Sequence, residues 1–281
     1  MGRAAVMACV LMVMSMCVVA VCFTAQTAVS RAAAGGAESV RLPVLMYHDV
    51  YEKARRYSVT PERLDADLDA LERAGYEYVS PAMVSAYAEG RGDLPERPVM
   101  LTFDDGHYNN LSHALPVLER HNACATFCVV GAFADKYSLP DAERDVPAYS
   151  CMTWEEIADL PDLITVAAHS YDMHSLGKRR GVLPREDESD AAYRAALTAD
   201  ADKLLERFKN IGISTDVYAY PYGFYRARTR EILRDVGFKV FLTCGAHVNT
   251  LVKGDPSALD ALARFSLEGS YTDRHLLDLI D

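Results

Sequence analysis

The sequence predicts a single α/β domain folded as a distorted (β/α) barrel, and three observations lead to this prediction. Strand-like apolar stretches alternate with amphipathic helical stretches along most of the chain. Half of the 281 residues are apolar, which is enough to bury one sizeable core. The candidate chemical groups all follow predicted strands, and in a parallel barrel those strand ends share one face.

The N-terminal segment, residues 1–34, differs in composition from the rest. Residues 4–25 are apolar and uncharged over a length that can cross a bilayer, and residues 32–34 offer an A-x-A-like cleavage pattern. We expect residues 1–34 to be an uncleaved membrane anchor rather than a cleaved signal peptide. Both alternatives place the domain, residues 41–281 after a linker at 35–40, outside the cytoplasm.

The first predicted strand of the domain begins at Leu42 and ends at His48. Thr60 and Pro61 then signal a helix start, and apolar residues at helical spacing continue until Gly75. The later elements alternate in the same way: helix 111–118, strand 125–131, a helix capped by Thr153 and Glu156, strand 163–168, helix 197–208, strand 218–220, helix 226–236 and strand 239–243.

The run TFDDG at residues 102–106 is the most informative motif. It ends an apolar, β-prone stretch and sets Asp104 and Asp105 side by side at a strand end. Neighbouring strand residues point in different directions, so one carboxylate can bind a metal while the other stays free as a base. An isolated acidic pair is more often a solvated turn, so other clusters must support this interpretation.

The run HSYDMH provides such a cluster, because it places His169 and His174 after an apolar strand. Their spacing suits a strand end that curls into a loop better than one face of a helix. One carboxylate and two imidazoles together match a catalytic zinc site with an open position for water. Cobalt and nickel suit the same ligands.

A third cluster, YAYPYG at residues 218–223, is an aromatic strand that ends in a turn. Its tyrosines, Tyr218, Tyr220 and Tyr222, are candidates for stacking on sugar rings, and Pro221 and Tyr222 form a turn that can offer a backbone N–H. The alternative is a core strand followed by an ordinary turn.

In this order and at these separations, the three motifs resemble those of the polysaccharide deacetylases with a NodB-homology domain, over residues 41–267. The LMYH segment that ends at His48 is similar to the start of the branch that acts on poly-N-acetylglucosamine exopolysaccharide. The resemblance implies an α/β barrel of the NodB-homology type that is circularly permuted in this branch.

The resemblance also implies roles for individual residues. Asp104 would be the general base, and the backbone N–H of Tyr222 would help to hold the oxyanion. Asp105, His169 and His174 would hold one divalent metal ion, with zinc expected. The chemistry is coherent, since amide hydrolysis needs an activated water, oxyanion stabilisation and a proton for the leaving amine.

The sequence departs from the typical family pattern in two places. Ala219 stands where typical members carry an Arg that positions the base, and the C-terminal stretch 274–277 does not match the motif that supplies their general acid. The similarity of the LMYH segment assigns the acid role to His48. A histidine that only caps a strand remains the alternative.

The charge of the chain excludes some classes of binding partner. The formal charge is −11, and leaving out the leader's Arg3 and Arg31 makes it −13, which argues against nucleic acid and against a polybasic membrane patch. Of the cysteines outside the leader we expect small buried thiols, with a Cys151–Cys244 disulfide left open. The remaining histidines are expected to be surface or structural, with His107 the least certain.

The favoured function is metal-dependent removal of N-acetyl groups from an extracellular or cell-wall polysaccharide that contains N-acetylglucosamine. Two alternatives stay open: the same site acting as an O-acetyl esterase or another amidase, and a glycan-binding module whose catalysis has decayed. Ala219 motivates the decayed module, whereas the intact Asp104, Asp105, His169 and His174 argue against it. The polysaccharide or oligosaccharide partner is undefined in linkage, and the oligomeric state is open.

Overall fold

The computed structural model describes residues 38–142 and 150–281. The leader, with its predicted anchor and its cysteines, lies outside the described residues. The first strand begins at Ser39, inside the predicted linker 35–40. Within the described part of the chain, no helix combines the length and apolar character needed to cross a membrane.

Most strands are short and lie in one curled sheet. In chain order they are β1 (Ser39–Leu42), β2 (Val44–Tyr47), β3 (Asp49–Val50), β4 (Ser58–Val59), β5 (Glu77–Tyr78), β6 (Pro98–Phe103), β7 (Ala125–Val129), β8 (Ile164–Ala168), β9 (Val217–Ala219), β10 (Val240–Leu242), β11 (Asn249–Val252) and β12 (Phe265–Ser266).

Helices follow most of the central strands. They are α1 (Pro61–Arg73), α2 (Pro81–Ala88), α3 (Leu115–Arg120), α4 (Gly131–Tyr137), α5 (Trp154–Ala158), α6 (Asp190–Asn210), α7 (Ala227–Val236) and α8 (Asp273–Ile280). A π-helical turn (Asn110–Ala114) precedes α3, and 3₁₀ turns occupy Pro221–Gly223 and Pro256–Asp260. Pro116 lies in the first turn of α3, where it needs no N–H partner.

The main sheet has the strand order β10-β9-β8-β7-β6-β2-β12, with β5 pairing β6, and its neighbours are parallel. The two outer strands approach each other through the segment before β12. Leu262 donates its N–H to the Phe241 carbonyl, and Thr243 donates to the Leu262 carbonyl, each at 2.8 Å. Strands from both ends of the chain therefore complete the curled sheet, as expected for the permuted barrel.

Side chains alternate between two cores, as strand geometry requires. An inner cluster fills the barrel and includes Met100, Cys128, Ala167, Ala219 and Leu242. An outer cluster lies between sheet and helices and includes Leu101, Phe127, Tyr218 and Phe241. Extending this alternation past the strand ends puts His48, Asp104 and His169 on the inward side.

Several helix signals are confirmed. Thr60 Oγ1 accepts the Arg63 N–H at 3.1 Å, and Thr153 and Glu156 form the reciprocal capping box. Helix α7 ends where Gly237 adopts φ +126°. Between β8 and α6, Arg179 and Glu188 pair with each other, and each side chain is only 9% exposed.

The described cysteines, Cys124, Cys128, Cys151 and Cys244, are all free thiols. Cys128 and Cys151 are buried, as expected. Cys244 is exposed, which corrects the expectation that these thiols are all buried. It follows β10, and its Sγ atom lies 3.8 Å from Sδ of Met46.

Candidate active site

The two carboxylates of TFDDG diverge because the chain turns sharply between them. Asp104 continues the inward side of β6 and is buried. Asp105 adopts the left-handed conformation, φ +71°, and Gly106 follows at +69°. Aspartate tolerates this conformation better than most residues. The turn leaves Asp105 partly exposed at the mouth of the barrel and keeps Asp104 inside.

Asp105 lies beside both predicted histidine ligands. Its Oδ1 atom is 3.0 Å from His174 Nε2 and 3.5 Å from His169 Nε2, and one ligand atom from each residue lies within 4.8 Å of the others. Asp105 Oδ1 is also buried and makes no hydrogen bond within the described residues. An orphaned carboxylate oxygen facing two imidazole nitrogens is the donor set that a divalent cation such as zinc prefers.

A backbone carbonyl fixes the orientation of His169. Its Nδ1 atom donates to the Ala219 carbonyl at 2.9 Å, which leaves Nε2 as the nitrogen that faces Asp105. Orientation through the second ring nitrogen is usual for histidine ligands of metals. Ala219 therefore orients His169 through its backbone carbonyl, although its methyl side chain has no reactive or hydrogen-bonding group.

His174 sits among aromatic rings at the edge of the site. Its ring centroid is 4.6 Å from that of Tyr222 and 5.7 Å from that of Phe133. His174 Nδ1 is 3.2 Å from the Tyr222 hydroxyl. These contacts hold the ring with Nε2 toward Asp105, so both histidines present the same type of nitrogen.

Asp104 is held by Arg264, which the sequence did not single out. Arg264 donates from Nη1 to Asp104 Oδ1 at 2.7 Å and from Nη2 to Oδ2 at 2.8 Å. Its Nε donates to the Thr243 carbonyl at 2.9 Å. Burial alone would raise the pKa of Asp104, but Arg264 and His169 outweigh burial and hold it at about 2.

Arg264 thus gives Asp104 the guanidinium partner that Ala219 cannot provide. It lies just before β12, in the segment that joins the two outer strands, and points into the barrel. A bidentate pair of this kind fixes both the charge and the orientation of the carboxylate. No motif signals such a residue, because it is a single arginine in a short apolar stretch.

His48 follows β2 next to the Asp104 strand, since Tyr47 and Phe103 are register partners. Asn110, in the π-helical turn, donates its amide to the His48 carbonyl at 2.9 Å. The ring lies 5.4 Å from that of Tyr57, and Nδ1 is buried and has no hydrogen-bond partner among the described residues. Burial lowers the pKa of His48, and the charges of Asp104 and Asp105 oppose this effect.

His107 also reaches the site. Its Nε2 atom is 3.5 Å from Asp105 Oδ2, the carboxylate oxygen on the far side from the other imidazoles. Burial lowers the pKa of His107, but the hydrogen bond and charge of Asp105 outweigh burial and raise it. Only its place two residues after Asp105 distinguishes His107 from the other histidines in the sequence.

The predicted sugar contacts of Tyr218 and Tyr220 are wrong. Both are fully buried and face the helices, because the inward position between them belongs to Ala219. Tyr218 packs on Phe238, and the ring of Tyr220 is stacked on its neighbours in the outer core. Neither ring has a face left for a ligand.

The turn after these tyrosines does reach the site. Pro221 is buried and starts the 3₁₀ turn, while Tyr222 is 37% exposed and adopts φ +58°. This left-handed residue redirects the chain so that the Tyr222 ring lies over His174. Of the three predicted tyrosines, Tyr222 alone borders the ligand cluster.

A model of the polysaccharide deacetylase family matches residues 91–241, more than half of the chain. This chain belongs to the polysaccharide deacetylase family. The matched stretch contains the Asp104–Asp105 pair, both predicted histidine ligands and Tyr222. His48 and Arg264 lie outside it, one on each side, and β2 and β12 bring them back to the same site.

The chain is also similar to individual deacetylases. The poly-beta-1,6-N-acetyl-D-glucosamine N-deacetylase of Escherichia coli K12 is 25% identical over 247 residues, which cover 78% of this chain and 35% of that enzyme. The chain thus spans about a third of the length of that relative. IcaB from Ammonifex degensii matches with a TM-score of 0.70 and 27% identity over 86% of this chain and 97% of that one.

A further structural likeness concerns the fold alone. A de-N-acetylase from Aggregatibacter actinomycetemcomitans superposes with a TM-score of 0.74 at 20% identity, covering 85% of this chain and 99% of that one. This likeness covers 85% of the chain, so the shared fold extends beyond residues 91–241 of the family match.

Proposed function

We propose that this protein is a metal-dependent hydrolase that removes N-acetyl groups from a polymer of N-acetylglucosamine. One observation carries the proposal: a buried Asp104, bound through both of its oxygens by Arg264, lies beside the Asp105–His169–His174 cluster. A base that stays ionised and a cation site next to it are the two requirements for activating water against an amide.

The residues around this cluster suit a neutral sugar. Tyr57, 47% exposed, lies next to His48, and Tyr222, 37% exposed, lies next to His174. Exposed aromatic rings on two sides of a polar centre offer flat apolar faces, and a pyranose ring packs on such faces. The relatives named for poly-N-acetylglucosamine favour that substrate, and the net negative charge disfavours an anionic one.

The cation would be held by Asp105, His169 and His174. When bound, it would lower the pKa of a water molecule and polarise the acetyl carbonyl. The nitrogen and oxygen donors suit zinc, and cobalt or nickel fit them as well. His107 would remain on the second oxygen of Asp105, where it orients the carboxylate from outside the donor set.

Asp104 would accept the proton of the attacking water. Its low pKa makes it a weak base in isolation, so its value lies in being always ionised and correctly oriented next to the cluster. Arg264 secures both properties, because its fork binds both oxygens. The turn at Tyr222 would bring a backbone N–H to the oxyanion that develops on the acetyl carbonyl.

His48 would donate a proton to the leaving amine. It enters the barrel mouth from β2, on the opposite edge of β6 from the strand that carries His169. Its buried Nδ1 leaves Nε2 as the nitrogen available to the substrate. Breaking the C–N bond with protonation of nitrogen and addition of water to the acyl carbon yields acetate and a free amino group.

We place this domain outside the cytoplasm. The support is the uncharged apolar stretch 4–25, which marks residues 1–34 as an export segment or an anchor, and 35–40 as a linker to the domain. Fractionation of cells with and without protease added from outside tests this placement. Intact protein in the cytosolic fraction would refute it.

Acetate release by the full chain tests the catalytic proposal. The substrates are β-1,6-linked and β-1,4-linked N-acetylglucosamine oligomers, peptidoglycan and an O-acetylated xylan, each with and without added zinc. We expect zinc-dependent release from the β-1,6-linked oligomers that a chelator abolishes. Release from the xylan alone would favour the esterase, and bound zinc without any release would favour a binding module.

A further inference from the structure

The loop between the two histidine ligands is held from both sides by helices that carry none of the proposed catalytic groups. Residues 170–173 connect His169 to His174, and Ser170 within them adopts φ +68°. A loop with such a turn does not keep its shape by itself. Its backbone groups must therefore find partners elsewhere, and these partners determine where His174 lies.

Helix α6 supplies the acceptors. The two oxygens of Asp200 accept the backbone N–H groups of Tyr171 and Asp172, each at 2.8 Å. Asp200 is 9% exposed and shares the helix face with apolar residues such as Leu197 and Leu204. A buried carboxylate among apolar side chains is costly unless its hydrogen bonds compensate. Both of its oxygens are used on the ligand loop.

Helix α4 supplies the donors. Gly131 donates its N–H to the Ser170 carbonyl at 3.1 Å, and Ala132 donates to the Tyr171 carbonyl at 2.7 Å. Gly131 permits this approach because it has no β-carbon. A β-carbon there would lie 2.5 Å from Cδ2 of the Tyr171 ring. The loop is thus fixed on its carbonyl side by α4 and on its N–H side by α6.

We propose that Asp200 is a positioning residue for the metal site, and that Asp200 with Gly131 sets the distance between His174 and Asp105. The inference rests on the proposed function, because it presumes a cation at Asp105, His169 and His174. Two adjacent N–H groups bound by one carboxylate fix a peptide plane in orientation as well as position. His174 follows Asp172 by two residues, so the orientation of this peptide plane determines where the His174 ring points.

The test compares Asp200→Asn with Asp202→Asn in the full chain. Asp202 lies on the same helix but is exposed. An asparagine at 200 can accept only one of the two N–H groups, since its amide nitrogen faces the other. Zinc affinity is measured by competition with a chelator, together with the visible spectrum of the cobalt-loaded protein and the melting temperature of the metal-free protein.

We expect Asp200→Asn to weaken zinc binding by about 10- to 100-fold and to change the cobalt spectrum, with Asp202→Asn unchanged. Equal zinc affinity and an identical cobalt spectrum in the Asp200 variant would overturn the inference alone. Absence of zinc binding by the unaltered chain would overturn the proposed function and this inference together. A lower melting temperature with unchanged affinity would show that Asp200 only anchors the helix.

Gly131→Ala gives an independent test from the other helix. The added methyl group would lie 2.5 Å from Cδ2 of Tyr171 and 3.0 Å from Cδ1 of Leu204, so it displaces the loop without meeting Asp200 itself. We expect weaker zinc binding in this variant too. Unchanged zinc affinity in a folded Gly131→Ala protein would show that the loop does not transmit its position to His174, which contradicts the proposal.

Discussion

Arg264 binds both oxygens of Asp104 inside the barrel, at 2.7 and 2.8 Å, although 160 residues separate them in the chain. The side chains are 0% and 4% exposed, so neither charge has water as an alternative partner. Each therefore depends on the other. The pair favours the ionised form of the proposed base and ties it to the segment that joins the two outer strands.

Replacing Arg264 with Met should damage stability and turnover together. The carboxylate of Asp104 would be left buried without a partner, and breaking a buried pair in this way costs about 3–5 kcal/mol. Unfolding in urea measures the loss, and acetate release measures turnover. Arg274→Met is the matched control, because Arg274 is 91% exposed and should change neither quantity.

A double variant checks the cause of that loss. Adding Asp104→Asn to Arg264→Met removes the unpaired charge, so part of the lost free energy of unfolding should return while turnover stays low. Purely additive losses in the double variant would mean that the ion pair is not the source of the instability.

The two carboxylates should separate metal binding from turnover. Asp105→Ala removes the oxygen that faces both histidines, so we expect zinc content and activity to fall together. Asp104→Asn leaves those donors in place and should retain zinc while turnover falls by about 10²- to 10⁴-fold. The zinc content of the purified variants and their rates of acetate release together test this separation. Full turnover in Asp104→Asn would contradict the assignment of the base.

Local signals accounted for much of the fold and the ligand cluster. The strand end at TFDDG, the capped helix starts and the HSYDMH strand end were readable from short stretches, because turns and caps are determined by neighbouring residues. Parallel strands then brought Asp105 and His169 together at one face. The predictions for the anchor and for the substrate-contacting turn remain predictions.

Two features of the structure, the position of Arg264 and the burial of Tyr218 and Tyr220, could not be predicted from local sequence signals. The strand beside Arg264, β12, is two residues long and has no periodic pattern, so nothing local marks the arginine as inward. Aromatic content alone favours Tyr218 and Tyr220 as sugar contacts, whereas strand alternation puts both rings on the outward side. The inward position of that strand belongs to Ala219, and the tyrosines on either side must pack under the helices.

His48→Gln should affect amide and ester substrates differently. Without a proton donor the amine is a poor leaving group, so N-acetyl hydrolysis should fall by about 10²- to 10⁴-fold with zinc content unchanged. A phenolate leaves without protonation, so hydrolysis of phenyl acetate should fall much less. The rates of hydrolysis of both substrates, measured in the same variant, show how the loss for the amide compares with the loss for the ester. Equal losses would mean that His48 binds substrate or supports the site and is not the acid.

Asp67 should make stability depend on pH just below neutrality. It lies on α1, accepts a hydrogen bond from Tyr47 at 3.1 Å and is 2.8 Å from Arg63. Burial outweighs both partners and raises the pKa of Asp67 from 3.8 to about 6. The folded state therefore holds the proton more tightly than the unfolded state, so this contribution is full below pH 4 and is lost as pH rises through 6.

The Asp67→Asn variant isolates that contribution from all other carboxylates. Between pH 4 and pH 7, the free energy of unfolding of the wild type relative to the variant should fall by about 3 kcal/mol, since one pKa unit corresponds to 1.36 kcal/mol. Urea unfolding at several pH values measures the difference. A difference that grows with pH would show that the Arg63 pair outweighs burial.

Gly223→Ala should be more harmful than Gly212→Ala although both glycines have positive φ, +69° and +78°. A β-carbon at 223 would lie 2.7 Å from Cβ of Cys244, whereas one at 212 meets nothing within 4 Å. Gly212→Ala should therefore cost only the left-handed penalty, about 1 kcal/mol. Gly223→Ala should cost more and also lower turnover, because any shift moves the Tyr222 N–H. Equal losses of stability and unchanged turnover would show that the turn relaxes without disturbing the site.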